Sequence, residues 1–348
     1  GVNIYHLNIG QPDVQTPLAF FEAVRHFEQP VLAYAPSPGI PELIDAIQNY
    51  YDKLDMHFDK SEIYVTAGGS EALQIALQCI LDDGDEILIP EPFYPNYNTM
   101  TRTCGASITP IPTCPEEGYR YAVREKIEPL INAHTRAIMV TNPGNPTGVV
   151  LSHEEMEMLV DVAQKHDLFL IGDEAYREFV YGGEKLQSFG EFADRAGDNI
   201  IVIDTVSKRF SACGARIGAL LSKNRELMAN ALKFCQARLS VATLDQAAAA
   251  ALYFGWRAAR GSKGTGLEAV VDFGSGASET LSLDEDHDYL YDVGDYVVHL
   301  QVKDGAIAFL DSQCPDHICE QFGWLDKDGA WAACVPAGVY VVVQEAAS

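Results

Sequence analysis

Residues 200–216 read IIVIDTVSKRFSACGAR, an apolar run followed at once by polar residues and a lysine. Ile200 to Asp204 has the length and apolar content of a buried strand. The same order recurs upstream at residues 63–71, 86–97, 136–148 and 168–176. Helical patterns separate these runs, and one of them, Ser152 to His166, begins with a capping box. Strands that alternate with helices predict an α/β fold, with a mostly parallel sheet sandwiched by helices.

The composition argues against several classes of partner. The chain has 24 Lys+Arg against 50 Asp+Glu, a formal charge of -26, which repels nucleic acid and anionic membrane surfaces. Its longest apolar run, residues 247–256, is about half of the roughly 20 residues that a membrane-spanning helix needs. Five of its 8 cysteines are scattered through the first domain, as is typical of reduced thiols. We therefore expect a soluble, cytoplasmic protein.

The sequence changes character after residue 254. A long helical stretch begins near Lys223 and ends by Arg260, and the Gly-rich segment 261–266 that follows has the composition of a flexible linker. Residues 267–348 hold 16 acidic and 2 basic residues, and strand alternation is visible at residues 296–302 and 306–310. We predict an α/β domain over residues 1–254, a linker over 255–266 and a small all-β domain over 267–348.

Polar side chains follow each predicted strand of the first domain. Because the carboxyl ends of parallel strands meet at one edge of a sheet, ligands bind there and these side chains should lie close together. The most specific string is residues 142–148, NPGNPTG, whose prolines and glycines form a turn that presents the Asn145 amide. A lysine, an aspartate, a tyrosine and an arginine at the same edge suit an aromatic aldehyde cofactor that carries a phosphate. These four residues are Lys208, Asp173, Tyr176 and Arg216.

Residues 1–254 resemble the large domain of fold-type I pyridoxal-phosphate enzymes, in the class I and II aminotransferase family. The resemblance is carried by the string at residues 142–148 and by Ser-Lys at residues 207–208 with an arginine eight residues beyond. It implies that Lys208 forms the Schiff base to pyridoxal 5'-phosphate and that Asp173 pairs with the pyridine nitrogen. Taken alone, Lys208 would be a solvated lysine and Asp173 a turn cap. Their joint occurrence at strand ends favours the cofactor site.

The resemblance also implies the contacts around these two residues. Tyr176 and Asn145 match groups that hydrogen-bond the phenolic oxygen of the ring, and Tyr94 matches the aromatic that stacks on it. Phosphate contacts are expected from Gly69, Ser70, Thr205, Ser207 and Arg216. Gly10, in the loop Asn8 to Asp13, matches the substrate side of the site together with Asn145. Tyr34 resembles a tyrosine that reaches the phosphate of the neighbouring subunit, which implies a homodimer.

Residues 267–348 resemble the small β domain known as NusG domain II. The matching residues are 314–319, 323–324 and 334–336. Cys314, Cys319, Cys334 and His317 could bind zinc, since thiolates are soft ligands. Their spacing is not a standard zinc pattern, so we expect a disulfide or buried thiols and no metal.

Three functions are compatible with these motifs. The first is a transaminase that moves an amino group between an amino acid and a 2-oxo acid, of the aspartate or aromatic type. The second is a β-eliminating lyase, because the motifs define the cofactor and leave the fate of the substrate carbanion open. The third is a protein that binds the cofactor without turnover, because residues 267–348 contain no arginine for the substrate's α-carboxylate. Since the cofactor residues are complete, we predict the transaminase.

Overall fold

The computed structural model describes residues 10–345 except for 182–185, 262–266, 275, 285, 295, 304, 312, 314 and 316, with the backbone alone at 254–261 and 345. The chain divides into two compact units, Gly1–Gly255 and Trp256–Ser348. Of the linker predicted over residues 255–266, residues 255–261 are helical, and residues 262–266 lie outside the described residues. Among the described residues, no helix has the length and apolar character needed to cross a lipid bilayer.

The first unit is built on a seven-stranded sheet. Its strands are β1 (Ile63–Thr66), β2 (Glu86–Pro90), β3 (Ser107–Ile111), β4 (Thr135–Thr141), β5 (Phe169–Asp173), β6 (Ile200–Thr205) and β7 (Gly218–Leu221). They lie in the order β1-β7-β6-β5-β4-β2-β3. Strands β2 to β6 run parallel, whereas β7 is antiparallel to both of its neighbours. The predicted mostly parallel sheet is confirmed, and β3 and β7 are strands that the sequence patterns did not predict.

Among the described residues the chain forms ten α-helices, nine of which lie wholly within the first unit. They are α1 (Leu18–Arg25), α2 (Pro41–Asp52), α3 (Gly69–Ile80), α4 (Asn96–Thr103), α5 (Arg124–Ile127), α6 (His153–His166), α7 (Ala193–Ala196), α8 (Val206–Arg209), α9 (Arg225–Ala237) and α10 (Thr243–Gly261). The predicted capping box is present at α6, where Glu155 N donates to Ser152 Oγ at 3.2 Å. The single helix predicted from Lys223 to Arg260 is wrong. Leu239 has a φ of 75°, which a right-handed helix cannot accommodate, so the chain breaks between α9 and α10.

The central strands are buried, and their parallel alignment creates the edge at which the site lies. Every residue of β6 is buried. Apolar residues of β4, β5 and β6 share one core with Leu73 and Leu77 of α3, and burial of such side chains contributes about 25 cal/mol per Å². Thr141 pairs with Asp173 in the sheet, so β4 and β5 end side by side.

From Leu267 onward the second unit is built of β-strands, as predicted, with a short 3-10 turn at Cys319–Phe322. Its strands are β8 (Leu267–Asp272), β9 (Ser278–Ser282), β10 (His287–Val293), β11 (Tyr296–Lys303), β12 (Ala306–Phe309), β13 (Trp331–Cys334) and β14 (Val339–Glu345). They form two antiparallel sheets, β10-β11-β12 and β13-β14-β8-β9. Side chains alternate along β14, where Val341 and Val343 are buried and Val342 is exposed.

Two cysteines of this unit belong to its core. Cys319 and Cys334 are buried among the apolar residues of the two sheets. Cys314, the third member of the predicted cysteine set, lies outside the described residues. Within the described residues no group of three potential metal ligands is found.

Candidate active site

A cavity of about 710 Å³ opens at the carboxyl ends of β4, β5 and β6. The last residues of these strands, Thr141, Asp173 and Thr205, all line it. The predicted site residues that line it are Gly10, Gly69, Ser70, Tyr94, Asn145, Asp173, Tyr176, Thr205, Ser207, Lys208 and Arg216. Tyr34 does not: its side chain is 81% exposed and lies outside this cavity. The fold therefore brings together residues from seven separate stretches of the chain.

Lys208 enters the cavity from α8. Thr205 is the N-cap of this helix, and its hydroxyl oxygen accepts a hydrogen bond from Ser207 N at 3.2 Å. Lys208 Nζ donates a hydrogen bond to Gly10 O and lies 4.0 Å from Cys213 Sγ. The contacts that hold the amine are therefore neutral groups, and none of the described carboxylates pairs with it. No ion pair with a described carboxylate therefore has to break before this amine reacts.

Asp173 is a buried carboxylate, 8% exposed, at the end of β5. Tyr97 Oη donates to its Oδ2 at 2.6 Å, and Ala175 N donates to its Oδ1 at 3.2 Å. Burial raises the pKa of Asp173, and these two hydrogen bonds offset part of the shift. Among the described residues, no lysine, arginine or histidine forms an ion pair with it. Because a buried carboxylate without a cation is unfavourable, Asp173 is suited to a positively charged group of a ligand.

Tyr97 and Thr141 are site residues that the sequence analysis did not single out. Tyr97 Oη lies 2.7 Å from Thr141 Oγ1 while it donates to the Asp173 carboxylate. The Tyr94 ring packs edge-on against Tyr97, with ring centres 5.4 Å apart, and Asn96 Nδ2 donates to Tyr94 Oη at 2.6 Å. A signal was present in the sequence, since Tyr97 comes three residues after Tyr94 in the segment that follows β2.

Tyr176 and Asn145 line both this cavity and a neighbouring one of about 720 Å³. Burial raises the pKa of Tyr176, and the nearby Asp173 carboxylate raises it further. The phenol of Tyr176 therefore keeps its proton at neutral pH and can donate it to a ligand oxygen. The Asn145 amide offers both a donor and an acceptor to the same space.

The N-terminus of α3 and Arg216 form the other end of the cavity. Gly68 is the N-cap of α3 and supplies no side-chain cap, so the first amides of the helix can bind an anion. A β-carbon on Gly68 would lie 2.3 Å from Arg216 Nη2, and one on Gly218 would lie 2.6 Å from Gly69 N. The two glycines thus let the arginine and the helix end approach each other. Helix amides, hydroxyl groups and a guanidinium form a donor set typical of a phosphate site.

Comparison with known proteins agrees with this geometry. The model of the family Aminotransferase class I and II matches residues 2–254, and the chain belongs to that family of pyridoxal-phosphate enzymes. The model of NusG domain II matches residues 246–347. Both resemblances inferred from the sequence are therefore confirmed.

Several relatives are described as aminotransferases. The aspartate/prephenate aminotransferase of Thermus thermophilus is 34% identical over 248 residues, which are 71% of this chain and 63% of that protein. The probable aspartate/prephenate aminotransferase of Aquifex aeolicus is 32% identical over 248 residues, 68% of this chain and 63% of that protein. The chain thus spans less than two thirds of the length of these relatives.

Solved structures share the fold of the first unit. The aspartate aminotransferase of Thermus thermophilus with maleate superposes with a TM-score of 0.68 at 32% identity, over 73% of this chain and 66% of that chain. The aromatic aminotransferase of Pyrococcus horikoshii gives a TM-score of 0.68 at 29% identity, over 72% of this chain and 68% of that chain. These likenesses support the fold predicted for the first unit.

Proposed function

We propose that this chain binds pyridoxal 5'-phosphate in the 710 Å³ cavity and transfers an amino group between an amino acid and a 2-oxo acid. The observation that carries the proposal is that Lys208, Asp173, Asn145 and Arg216 line one cavity. Family membership and the aminotransferase names of the relatives support the same activity.

The residues present fit this cofactor. Asp173 is buried, has a raised pKa and has no cationic partner among the described side chains, which matches the protonated nitrogen of a pyridine ring. At the other end, Gly69, Ser70 and Arg216 would hold the phosphate. Tyr94, Tyr176 and Asn145 would orient the ring between these two ends, from the cavity wall that they share.

The chain's own residues divide the work of transamination. Lys208 would hold the cofactor through its aldehyde carbon. When bound, pyridoxal phosphate supplies a ring that accepts the electrons released at the substrate's α-carbon. The free amine of Lys208 is then the base that moves a proton at that carbon. Asp173 would keep a proton on the ring nitrogen, and the Tyr176 phenol would donate a hydrogen bond to the ring oxygen.

The assembly that suits this site is a homodimer. Tyr34 is 81% exposed, and Val31 and Leu32 beside it are 71% and 65% exposed. In α1, Leu18 and Phe21 are also exposed, at 65% and 44%. A second copy of the chain would cover this apolar surface and bring its own Tyr34 to the cavity.

A cytoplasmic location is consistent with the thiols of the first unit. Cys79, Cys104, Cys114, Cys213 and Cys235 form no disulfide. Reduced thiols in this number are typical of the cytoplasm.

The proposed activity is tested by adding an amino acid alone to the cofactor-loaded protein. A panel that includes aspartate and the aromatic amino acids covers the substrates named for the relatives. We expect the visible absorbance of the bound cofactor to disappear and one 2-oxo acid to form per site, with no ammonia. Lys208→Arg should show neither change. Release of ammonia would identify a β-eliminating lyase, and no conversion by any amino acid of the panel would contradict the transaminase.

A second candidate is a protein that binds the cofactor without turnover. Arg216 is the one arginine among the described residues that line the cavity, and the phosphate would occupy it. The substrate's α-carboxylate would then lack a bidentate partner. Tight cofactor binding without conversion by any amino acid is the result expected of this candidate.

A further inference from the structure

A buried cluster of charged side chains adjoins the segments that carry the site. The Asp204 cluster consists of Asp204, Arg177, Arg209, Glu174 and Tyr51. Asp204 and Glu174 are 0% exposed, and Arg177 is 1% exposed. Removing such ions from water costs several kcal/mol for each ion unless its partners compensate. The compensation comes from bonds within the cluster and from adjacent groups such as Ser188 Oγ, which donates to Glu174 Oε2 at 2.7 Å.

Asp204 is the centre of the cluster. Its Oδ2 accepts hydrogen bonds from Arg177 Nη2 at 2.9 Å and from Tyr51 Oη at 3.0 Å. Its Oδ1 accepts from Arg209 Nη2, and from Thr205 N at 2.6 Å. Burial alone would raise the pKa of Asp204, but the charges of Arg209 and Arg177 hold it at about 2. Asp204 is therefore an anion at neutral pH.

The partners of Asp204 stand next to residues that line the cavity. Asp204 itself precedes Thr205 at the end of β6, and Arg209 follows Lys208 in α8. Arg177 follows Tyr176, and its Nη1 binds Glu174 Oε2 at 2.5 Å. The Asp204 carboxylate thus connects α8, which carries Lys208, to Arg177 in the segment that follows β5.

Aromatic rings from α2 restrict the two arginines further. Arg209 Cζ lies 4.2 Å from the centre of the Tyr50 ring, and Arg177 Cζ lies 4.7 Å from the centre of the Tyr51 ring. A planar guanidinium that stacks on a ring and also binds a buried carboxylate has little freedom to turn. The cluster is therefore rigid as well as charged.

We propose that Asp204 is a positioning residue, which holds Lys208 at a fixed place relative to Asp173 and Tyr176 through its bonds to Arg209 and Arg177. This inference rests on the proposed function, because it gives those three residues their role at the cofactor. Asp204 does not line the cavity and acts only through its neighbours. Displacing a reacting group by ~1 Å can reduce a rate by roughly 100-fold, so such a link matters to the chemistry.

The test uses Asp204→Asn, which keeps the size of the side chain and removes the charge between the two arginines. Hydrogen–deuterium exchange is measured on the full chain without cofactor, at residues 174–178 and 204–210, relative to the amides of β2. We expect exchange to become about tenfold faster in both segments together. If Asp204→Asn does not fold, Arg209→Met, which leaves the pair between Asp204 and Arg177, carries the same expectation for residues 204–210.

Two control variants separate positioning from a general loss of stability. Leu227→Ala removes a buried side chain of α9 and destabilises the core without touching the cluster. Asp194→Asn breaks an exposed ion pair with Lys223, whose length is 2.7 Å. Neither control should change the relative exchange of the two segments. Equal effects of Leu227→Ala and Asp204→Asn, or no effect of Asp204→Asn, would overturn the proposal.

A second measurement concerns the cofactor. After saturation with pyridoxal phosphate and borohydride reduction, the label on Lys208 is divided by the total cofactor bound before reduction. We expect this ratio to fall several-fold in Asp204→Asn and to stay unchanged in both controls, whereas an unchanged ratio would contradict positioning. If the wild-type chain binds no cofactor, the proposed function fails, while the exchange experiment still decides whether Asp204 couples the two segments.

Discussion

Gly68→Ala tests the phosphate end of the cavity. Gly68 has φ 82° and ψ 169°, a conformation that other residues adopt at a cost of about 1–3 kcal/mol. The added β-carbon would also lie 2.3 Å from Arg216 Nη2, so the guanidinium has to move. A charge-assisted hydrogen bond to phosphate contributes about 1.5–3 kcal/mol. Its loss corresponds to a roughly ten- to hundredfold weaker affinity for pyridoxal phosphate.

The assay compares cofactor affinity, from an absorbance titration, with the free energy of unfolding, from urea denaturation. Gly84→Ala is the matched control, because Gly84 has a φ of 88° and nothing lies within 4 Å of its added β-carbon. We expect both variants to lose stability and only Gly68→Ala to lose affinity. Equal cofactor affinities in the two variants would refute the assignment of Arg216 to the phosphate.

Four further results are expected. Tyr97→Phe removes a donor from a buried carboxylate and should lower the free energy of unfolding by about 1–3 kcal/mol in urea denaturation; a change near zero would contradict this. Asp173→Ala should reduce the turnover rate more than the cofactor affinity, and the reverse order in steady-state kinetics would argue against its pairing with the ring nitrogen. The pKa of Asp204, about 2, lies below the ordinary carboxyl value, so its anion stabilises the fold above about pH 4 and this contribution disappears as the pH falls toward 2. The stability difference between wild type and Asp204→Asn should therefore shrink by about 2 kcal/mol over that range, and a constant difference would contradict the linkage. Sedimentation should show a dimer that Tyr34→Ala leaves intact but with weaker cofactor binding, whereas a wild-type monomer would contradict the proposed assembly.

Much of the first unit could be predicted because its signals are local. The apolar runs that became β4, β5 and β6 are long, and the polar residues that follow them must share an edge once the strands are parallel. This is why Asp173, Thr205 and Lys208 were predicted from sequence and line one cavity in the structure. The match to the aminotransferase family confirms the fold that these patterns indicate.

Other features of the fold could not be predicted, because they do not follow from the spacing of apolar and polar residues along the sequence. Strand β7, Gly218–Leu221, consists of a glycine, an alanine and two leucines, and so lacks the β-branched and aromatic side chains that are typical of strands. The break between α9 and α10 depends on the backbone conformation of Leu239, a residue with no helix-ending signal of its own. Asp204 and Arg177 are 27 positions apart in the sequence, and their ion pair exists only because β5 and β6 are neighbours. A buried network of this kind forms only in the folded chain, so the sequence alone does not reveal it.

Peptide mapping after borohydride reduction shows whether pyridoxal phosphate binds to Lys208. The protein is saturated with pyridoxal phosphate, reduced, digested and analysed by mass spectrometry, alongside Lys208→Ala. We expect one reduced cofactor per chain, on the peptide that contains Lys208, and no specific label in the variant. A label on another lysine, or an unlabelled wild-type protein at saturating cofactor, would contradict the assignment of this cavity as a pyridoxal-phosphate site.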